Sequence, residues 1–412
     1  VSAVKREFDT QLGKMLQPEQ KSPSDIPVPY HKAVSVQWEN VADIPPETMW
    51  ASPSEQEQYR IRKGDLLICE GGDVGRAALF VGEDSEPVII QNSIHRVRAK
   101  HGNNNELLLR VMQTVKRSGW FDVLCSKATI VHFTSEKLGD LAYPVAPQEE
   151  SKAIVSTVRR EVARIDALIT KKTRFIELLK EKRHALIDHA VTKGLSPDAP
   201  MQDSDVEWLG EIPAHWEVRR MASIFREAIR PGDQSLPILS ISIHDGITDE
   251  EVAAEDRDRR VSQIEDRTKY KRVAPNDLAY NMMRAWQGAF GAVTVHGLVS
   301  PAYVVAEPMI EFRTAYIENL LRTPMAIEEM RRYSRGIADF RMRLYWDYFR
   351  DLKVCLPPLE EQDKILSMIT RETSRIDLLT EKTQRSIDLL KERRAAFITA
   401  AVTGQIDLRE SA

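Results

Sequence analysis

Residues 375–394 read RIDLLTEKTQRSIDLLKERR, and residues 164–183 read RIDALITKKTRFIELLKEKR. The two stretches lie 211 positions apart. Displaced by that amount, the chain aligns with itself without a gap, Pro147–Thr192 against Pro358–Thr403, and 24 of the 46 positions are identical. An internal duplication takes precedence over any local motif. A period this long points to two domains, each followed by the same kind of element, and not to a solenoid.

Each copy opens on a proline followed by paired glutamates, Glu149-Glu150 and Glu360-Glu361. Proline presets φ for the first helical turn, and acids there suit the positive end of the helix dipole. No glycine or proline interrupts the pattern until Gly194 or Gly404. Each copy is therefore expected to be one helix of about 45 residues, roughly 65 Å long at ~1.5 Å per residue. Its apolar stripe is Val158, Ile165, Leu168, Ile169, Ile176, Leu179 and Leu186 in the first copy. In the second it is Ile369, Ile376, Leu379, Ile387, Leu390 and Phe397. The spacing alternates near three and four, the rhythm of a coiled coil. A helix this long is unstable alone in water, and its simplest partner is the other copy. A whole domain joins the two helices, so an antiparallel pair would hold two domains at opposite ends of a rod.

The segments before the helices resemble each other faintly but in order. YRIRKGDLLICEGGDVGRAAL (59–79) parallels YKRVAPNDLAYNMMRAWQGAFGAV (270–293). Both read as a strand after a turn, a glycine-containing turn, then another strand. Further strand-like stretches, a short helical stretch and a last strand into the prolines follow in each. The expected fold class is α+β: two globular domains of curved, mostly antiparallel sheet with helices, separated by a long antiparallel two-helix coiled coil. The expected boundaries are 1–146, 147–194 for the first scaffold helix, 195–357, and 358–412 for the second helix and tail.

Composition sets outer limits. A chain of 412 residues exceeds one ordinary core. No apolar run is long enough to span a bilayer, and the N-terminus lacks the pattern of a secretory signal, so a cytoplasmic protein without a membrane partner is expected. Cys69, Cys125 and Cys355 are too few and too scattered for a disulfide framework or a zinc cluster. The formal net charge of −4 gives no global attraction to nucleic acid. Its distribution is uneven: 245–266 is acid-rich, whereas 331–350 holds six arginines against two aspartates.

Catalytic constellations are missing from the sequence. GGDVG (71–75) lacks the Gly-Lys-Ser/Thr of a phosphate loop. There is no HExxH, GxSxG or strand-borne GxGxxG, and no Asn/Asp-Pro-Pro-Tyr/Phe of the adenine methyltransferases. The histidines are scattered. No catalytic residue, metal or cofactor is expected.

PLEEQDKI (358–365), RIDLLTEK (375–382), IDLLKERRAAFITAAVTGQIDL (387–408) and TKGLSPDAPMQDSDVEWLGEIPAHWEVRRM (192–221) together resemble the specificity subunit of type I restriction–modification systems. The first three carry the scaffold helix, and the last resembles the family's lead-in to its second target-recognition domain. No GEIPxxW precedes the first module, which is expected to be shortened there or to start differently. The resemblance implies a non-catalytic subunit. Each globular domain would read half of a split double-stranded DNA target, with the helices fixing the gap. The scaffold would recruit adenine methyltransferase subunits, two in number, and a restriction translocase. Two other readings are a coiled-coil adaptor that binds protein and a solitary specificity subunit of a methylation-only system.

Base readout needs arginine for guanine and Gln or Asn for adenine. In the second module the candidates are Arg284, Trp286 and Gln287 in MMRAWQGAF, with Arg331, Arg332, Arg335, Arg341 and Arg343. In the first they are Arg76, Gln91, Asn92, Lys116, Arg117 and Lys127.

Overall fold

The four apolar residues Leu66–Cys69 form an inner strand whose side chains alternate between two cores. Leu66 and Ile68 join Phe8, Val97, Leu108 and Tyr143 on one face. Leu67 and Cys69 join Val36, Ile61, Ile90 and Ile94 on the other. A strand covered on both faces must be apolar throughout, which is why LLIC shows no alternation. The computed structural model describes residues 1–42, 47–83, 87–124, 132–243, 246–248, 266–336 and 342–408. The chain divides into two compact units, 1–173 with 384–412, and 174–383.

In the first unit the sheet order is Phe8–Leu12, Ile94–Ala99, Leu66–Cys69, Ala77–Leu79, antiparallel throughout. A smaller sheet sets Ile26–His31 between Glu47–Ala51 and Ile89–Ile90, the last pair being parallel. Ser2–Ala3 pairs with Ala142–Tyr143. The helix Asn105–Arg117, N-capped by the Asn104 side chain, buries Leu107, Leu108, Val111 and Met112.

The second unit repeats this topology: Phe225–Glu227, Tyr303–Pro308, Leu278–Asn281, Phe290–Ala292. Its short pair is Glu217–Arg220 with Lys353–Leu356. The 211-residue shift that superposes the helices also carries Ala142 onto Lys353, so the duplication includes the modules as well as the helices.

The long helices run Gln148–Lys193 and Leu359–Val402, and each contributes to both units. In the first unit Val158 and Val162 cluster with Ile398 and Ala401, and further along Arg394 Nε donates to Asp166 at 2.9 Å. In the second, Arg183 Nη1 donates to Asp377 at 2.8 Å, while Ala190 and Val191 share a core with Ile365 and Ile369. Within each unit the two helical segments therefore run in opposite directions.

Of the expected stripe, Val158, Ile165, Leu179, Ile369, Ile376 and Ile387 are buried, and Ile176, Leu186, Leu390 and Phe397 are half-buried. Leu168 and Leu379 are a correction: they are 42% and 39% exposed. They occupy equivalent places in the repeat, one residue out of phase with the seam. The second helix instead buries Thr373 and Thr383 beside Ile369 and Ile376. Thr383 Oγ1 donates to Leu379 O at 2.7 Å, so its hydroxyl is satisfied within the helix. Heptad phase, not side-chain hydrophobicity, selects the buried position. Ile376→Ala is accordingly expected to cost about 2–5 kcal/mol in chemical denaturation. Leu379→Ala should stay within ~0.5 kcal/mol of the parent.

Candidate nucleic-acid interface

The strand Leu278–Asn281 runs into a short connection before Phe290–Ala292. Asn281 opens it, its side-chain oxygen accepting from Met283 N at 3.0 Å. A 3-10 turn, Ala285–Gln287, follows, and Gly288 closes it at φ +91°, the left-handed region that suits glycine. A Cβ there would also press on Ile327 at 3.3 Å. Ala285 is buried as the anchor, and Trp286 Nε1 donates to Met283 O at 3.0 Å. The turn packs against the helix Pro324–Tyr333.

That packing gathers the arginines. The Arg331 guanidinium lies 5.4 Å from the centre of the Trp286 ring, and that of Arg335 lies 4.8 Å from the Tyr348 ring. Arg335 and Arg343 exchange backbone hydrogen bonds at 2.9 Å each, and Leu344 N donates to Met282 O at 2.9 Å, tying this bridge to the turn. Arg284, Gln287, Arg331, Arg335 and Arg343 are exposed, and Trp286 is half-buried. Stacking on aromatic faces orients a guanidinium while leaving its edge able to donate. Arg332 pairs with Glu329 at 3.1 Å and Glu207 at 3.5 Å. Arg341 lies outside the described residues.

Sequence reasoning passed over Met283, Tyr345 and Tyr348, large side chains exposed in this same region. The signal was present in RLYWDYFR (343–350), where aromatics lie between arginines while Leu344 and Phe349 face the core. Exposed aromatics beside arginines suit stacking on nucleobases.

In the first unit the topologically equivalent connection is Glu70–Arg76. Lys116, from the helix Asn105–Arg117, pairs with Asp73 of this turn. Arg76 turns inward, donating from Nη2 to Ala33 O at 2.8 Å. Gln91 and Asn92 lie on another connection, where their backbone N–H groups donate to His31 O and Lys14 O at 2.9 Å each. Arg117 is exposed, and Lys127 lies outside the described residues. The first unit therefore assembles a weaker cluster than the second, although at the same topological position.

No protein-family model matches the chain. It is 21% identical over 376 residues to the type I restriction enzyme EcoBI specificity subunit of Escherichia coli, covering 85% of this chain and 75% of that one. It is 22% identical over 381 residues to the putative MjaX specificity subunit of Methanocaldococcus jannaschii, covering 85% and 80%. A chain solved for complex assembly and conformational transition of the type I R-M system superposes with a TM-score of 0.64 at 14% identity, covering 96% and 97%. The HsdS subunit of Thermoanaerobacter tengcongensis gives 0.55 at 14% identity, covering 97% of each. The chain has the fold of a type I specificity subunit.

Two cysteines and a histidine of this fold are buried in its cores. Burial pushes the Cys69 thiol up and that of Cys355 to about 12, so both are protonated at neutral pH. Burial lowers the pKa of His95, whose Nε2 lies 2.8 Å from Phe133 O. Among the described residues no cluster of His, Cys, Asp and Glu could hold a metal ion, and no helix is long and apolar enough to cross a membrane.

A charge-alternating chain in the first unit also escaped sequence reasoning. Arg159 pairs with Glu106, Glu106 with Arg110, Arg110 with Glu39, and Arg394 with both Glu39 (2.6 Å) and Asp166 (2.9 Å). These groups come from the segments around residues 39, 106, 160 and 394, so no local pattern reveals them. Glu39 sits at φ +63° beside a cavity of about 350 Å³ lined also by Trp38, Gln113 and Arg117.

Proposed function

We propose that this chain is the DNA-reading, non-catalytic subunit of a type I restriction–modification complex. Residues 1–146 and 195–357 are its two target-recognition modules, and 147–194 and 358–412 its scaffold. The observation that carries this reading is the arginine–aromatic surface built on the 282–289 connection, at a topological place that the first unit repeats. The relatives and solved neighbours support it. Arg284, Gln287, Arg331, Arg335 and Arg343 are its base or phosphate contacts, with Arg117 and Lys116 as the weaker set on the first module.

The target is a split duplex sequence, one part per module. Two readers on one face of B-DNA engage half-sites about 34–36 Å apart, one helical turn. Modification and restriction subunits assemble on the scaffold. Its twofold repetition offers two equivalent seats, hence two modification subunits.

Arg284→Ala tests the reading. Loss of a bidentate base contact costs about 1–3 kcal/mol and relaxes one position of the target. Mobility-shift titration against cognate and mixed-sequence duplexes, with the modification subunits present, is expected to show a selective loss on the cognate duplex. An equal fall on both would assign Arg284 to phosphate, with a flatter salt dependence. No duplex binding by the assembled complex would instead favour a protein-binding adaptor.

A further inference from the structure

In the first unit the helix Asn105–Arg117 is followed by Ser118, by Gly119 at φ +71° and by a short helix, Trp120–Leu124. Two residues of this segment hold the Glu70–Arg76 turn. Lys116 pairs with Asp73, and Phe121 lies so close to Gly75 that a Cβ there would collide with its ring. Phe121 is buried and meets Phe133 edge-on at 5.0 Å between centroids, and Phe133 N donates to Glu70 O at 2.7 Å. The second unit seats its turn in the same way, with Ile327 of the helix Pro324–Tyr333 against Gly288. The 211-residue shift does not reveal this equivalence, because it carries Gly75 onto Trp286 and not onto Gly288.

Arg117 and Trp120 lie in sequence between the two residues that grip the turn. Phe121 and Leu124 face the core. Trp120 and Val123 form the opposite face of the short helix, 50% and 66% exposed, so packing does not account for them. Arg117 is exposed and has no ion-pair partner among the described residues. The two modules therefore offer different chemistry at one topological place. The second carries Trp286 on its turn, with Arg331 over the ring. The first has a turn without an aromatic, GGDVG, and receives an indole and one unpaired cation from the segment that grips it.

We propose that Trp120 is the apolar base contact of the first module, its ring set on a thymine methyl, the apolar group that a duplex offers in the major groove. Arg117 beside it meets phosphate. The inference rests on the DNA-reading role and adds a division of labour to it. The first module recognises its half-site chiefly by apolar contact, the second chiefly by guanidinium groups.

Mobility-shift titration of the chain assembled with its modification subunits, repeated over a range of salt concentrations, tests the contact. Trp120→Ala should lower affinity for the cognate duplex roughly tenfold, the size of a lost aromatic contact with a base. The factor should be the same at every salt concentration, because an indole releases no counterion, whereas Arg117→Ala should flatten the salt slope by about 0.9. Trp120→Phe should restore most of the affinity. Uracil in place of thymine, in the half-site that Arg284→Ala leaves unaffected, should weaken the parent and add nothing in Trp120→Ala. Parent-like affinity of Trp120→Ala, a loss that changes with salt, or additive effects of uracil and Trp120→Ala would overturn the contact and leave the DNA-reading role standing. Release of the modification subunits by Trp120→Ala would make the patch a protein-docking face and overturn the contact as well. Absence of duplex binding by the parent complex would overturn the DNA-reading role and the contact together.

Discussion

Arg110→Ala is expected to destabilise the first unit by about 3–5 kcal/mol, the cost of breaking a buried ion pair from one side. Arg110 is almost wholly buried, between Glu106 and Glu39. Its removal leaves the buried Glu106 and the half-buried Glu39 with one arginine fewer between them. Arg159 stays paired with Glu106 and Arg394 with Glu39, which holds the loss within that range. The partner network also sets an acid limit. Burial acts to raise the pKa of Glu39, but Arg110, Gln113 and Arg394 overcome it, and the net shift is downward. A carboxylate with a depressed folded pKa contributes stability above its unfolded value, lost as pH falls through the folded one. The parent should therefore lose stability on acidification below the ordinary glutamate range. Arg110→Ala should lose less over the same interval, because the shift has been largely removed. Urea denaturation at pH 7 and at steps below pH 5 measures both effects. Equal acid sensitivity in parent and variant would rule out Arg110 as the principal source of the Glu39 shift.

Trp216→Ala should cost the second unit a similar amount, about 3–5 kcal/mol, because a buried indole is replaced by a cavity. The ring does three things at once. It packs on the terminal turn of the first long helix, it meets Tyr316 edge-on at 6.3 Å between centroids, and it donates to Glu361. Tyr316 in turn donates to Val191 O at 2.8 Å, so the loss propagates to the helix end. Trp216→Phe retains most of the packing and loses only the donor. It should cost about 1.5–3 kcal/mol, the range of a hydrogen bond to a charged acceptor. If the two variants are equally stable, the cavity is relaxing shut and packing at this junction is weaker than the burial indicates.

Much of the architecture was readable in residues 147–194 and 358–404. Prolines at one end, glycines at the other and an uninterrupted three-four rhythm leave a long helix as the only regular element with that period. The alternation of strand and turn in 59–79 and 270–293 likewise placed Leu66–Cys69 and Leu278–Asn281 as strands. The candidate site was half readable. Arg284, Trp286 and Gln287 were singled out as candidates because they flank a short turn, and the arginine run of 331–350 is plain in composition. Their association was not readable, since it depends on the helix Pro324–Tyr333 packing on a turn some forty residues earlier. Arg76 illustrates the opposite error, an exposed-looking arginine of a glycine-rich turn that instead donates to Ala33 O.

The amino-acid sequence by itself determined the duplication, the two long helices with their ends, and the strand content of the modules. These follow from backbone preferences and periodicity, which act over a few residues and are written locally. Tertiary structure alone decided which stripe residues are buried, how the arginines pair with aromatics, and which carboxylates meet which guanidinium groups. Leu379 and Thr383 show why: leucine is the better helix former and the more apolar, yet the seam buries the threonine, because burial depends on the direction a side chain faces. The two glutamates of the repeat make the same point. Glu150 and Glu361 are identical in local sequence position, yet among the described residues only Glu361 has an indole and an imidazole upon it, brought there by residues that no pattern around the glutamate encodes.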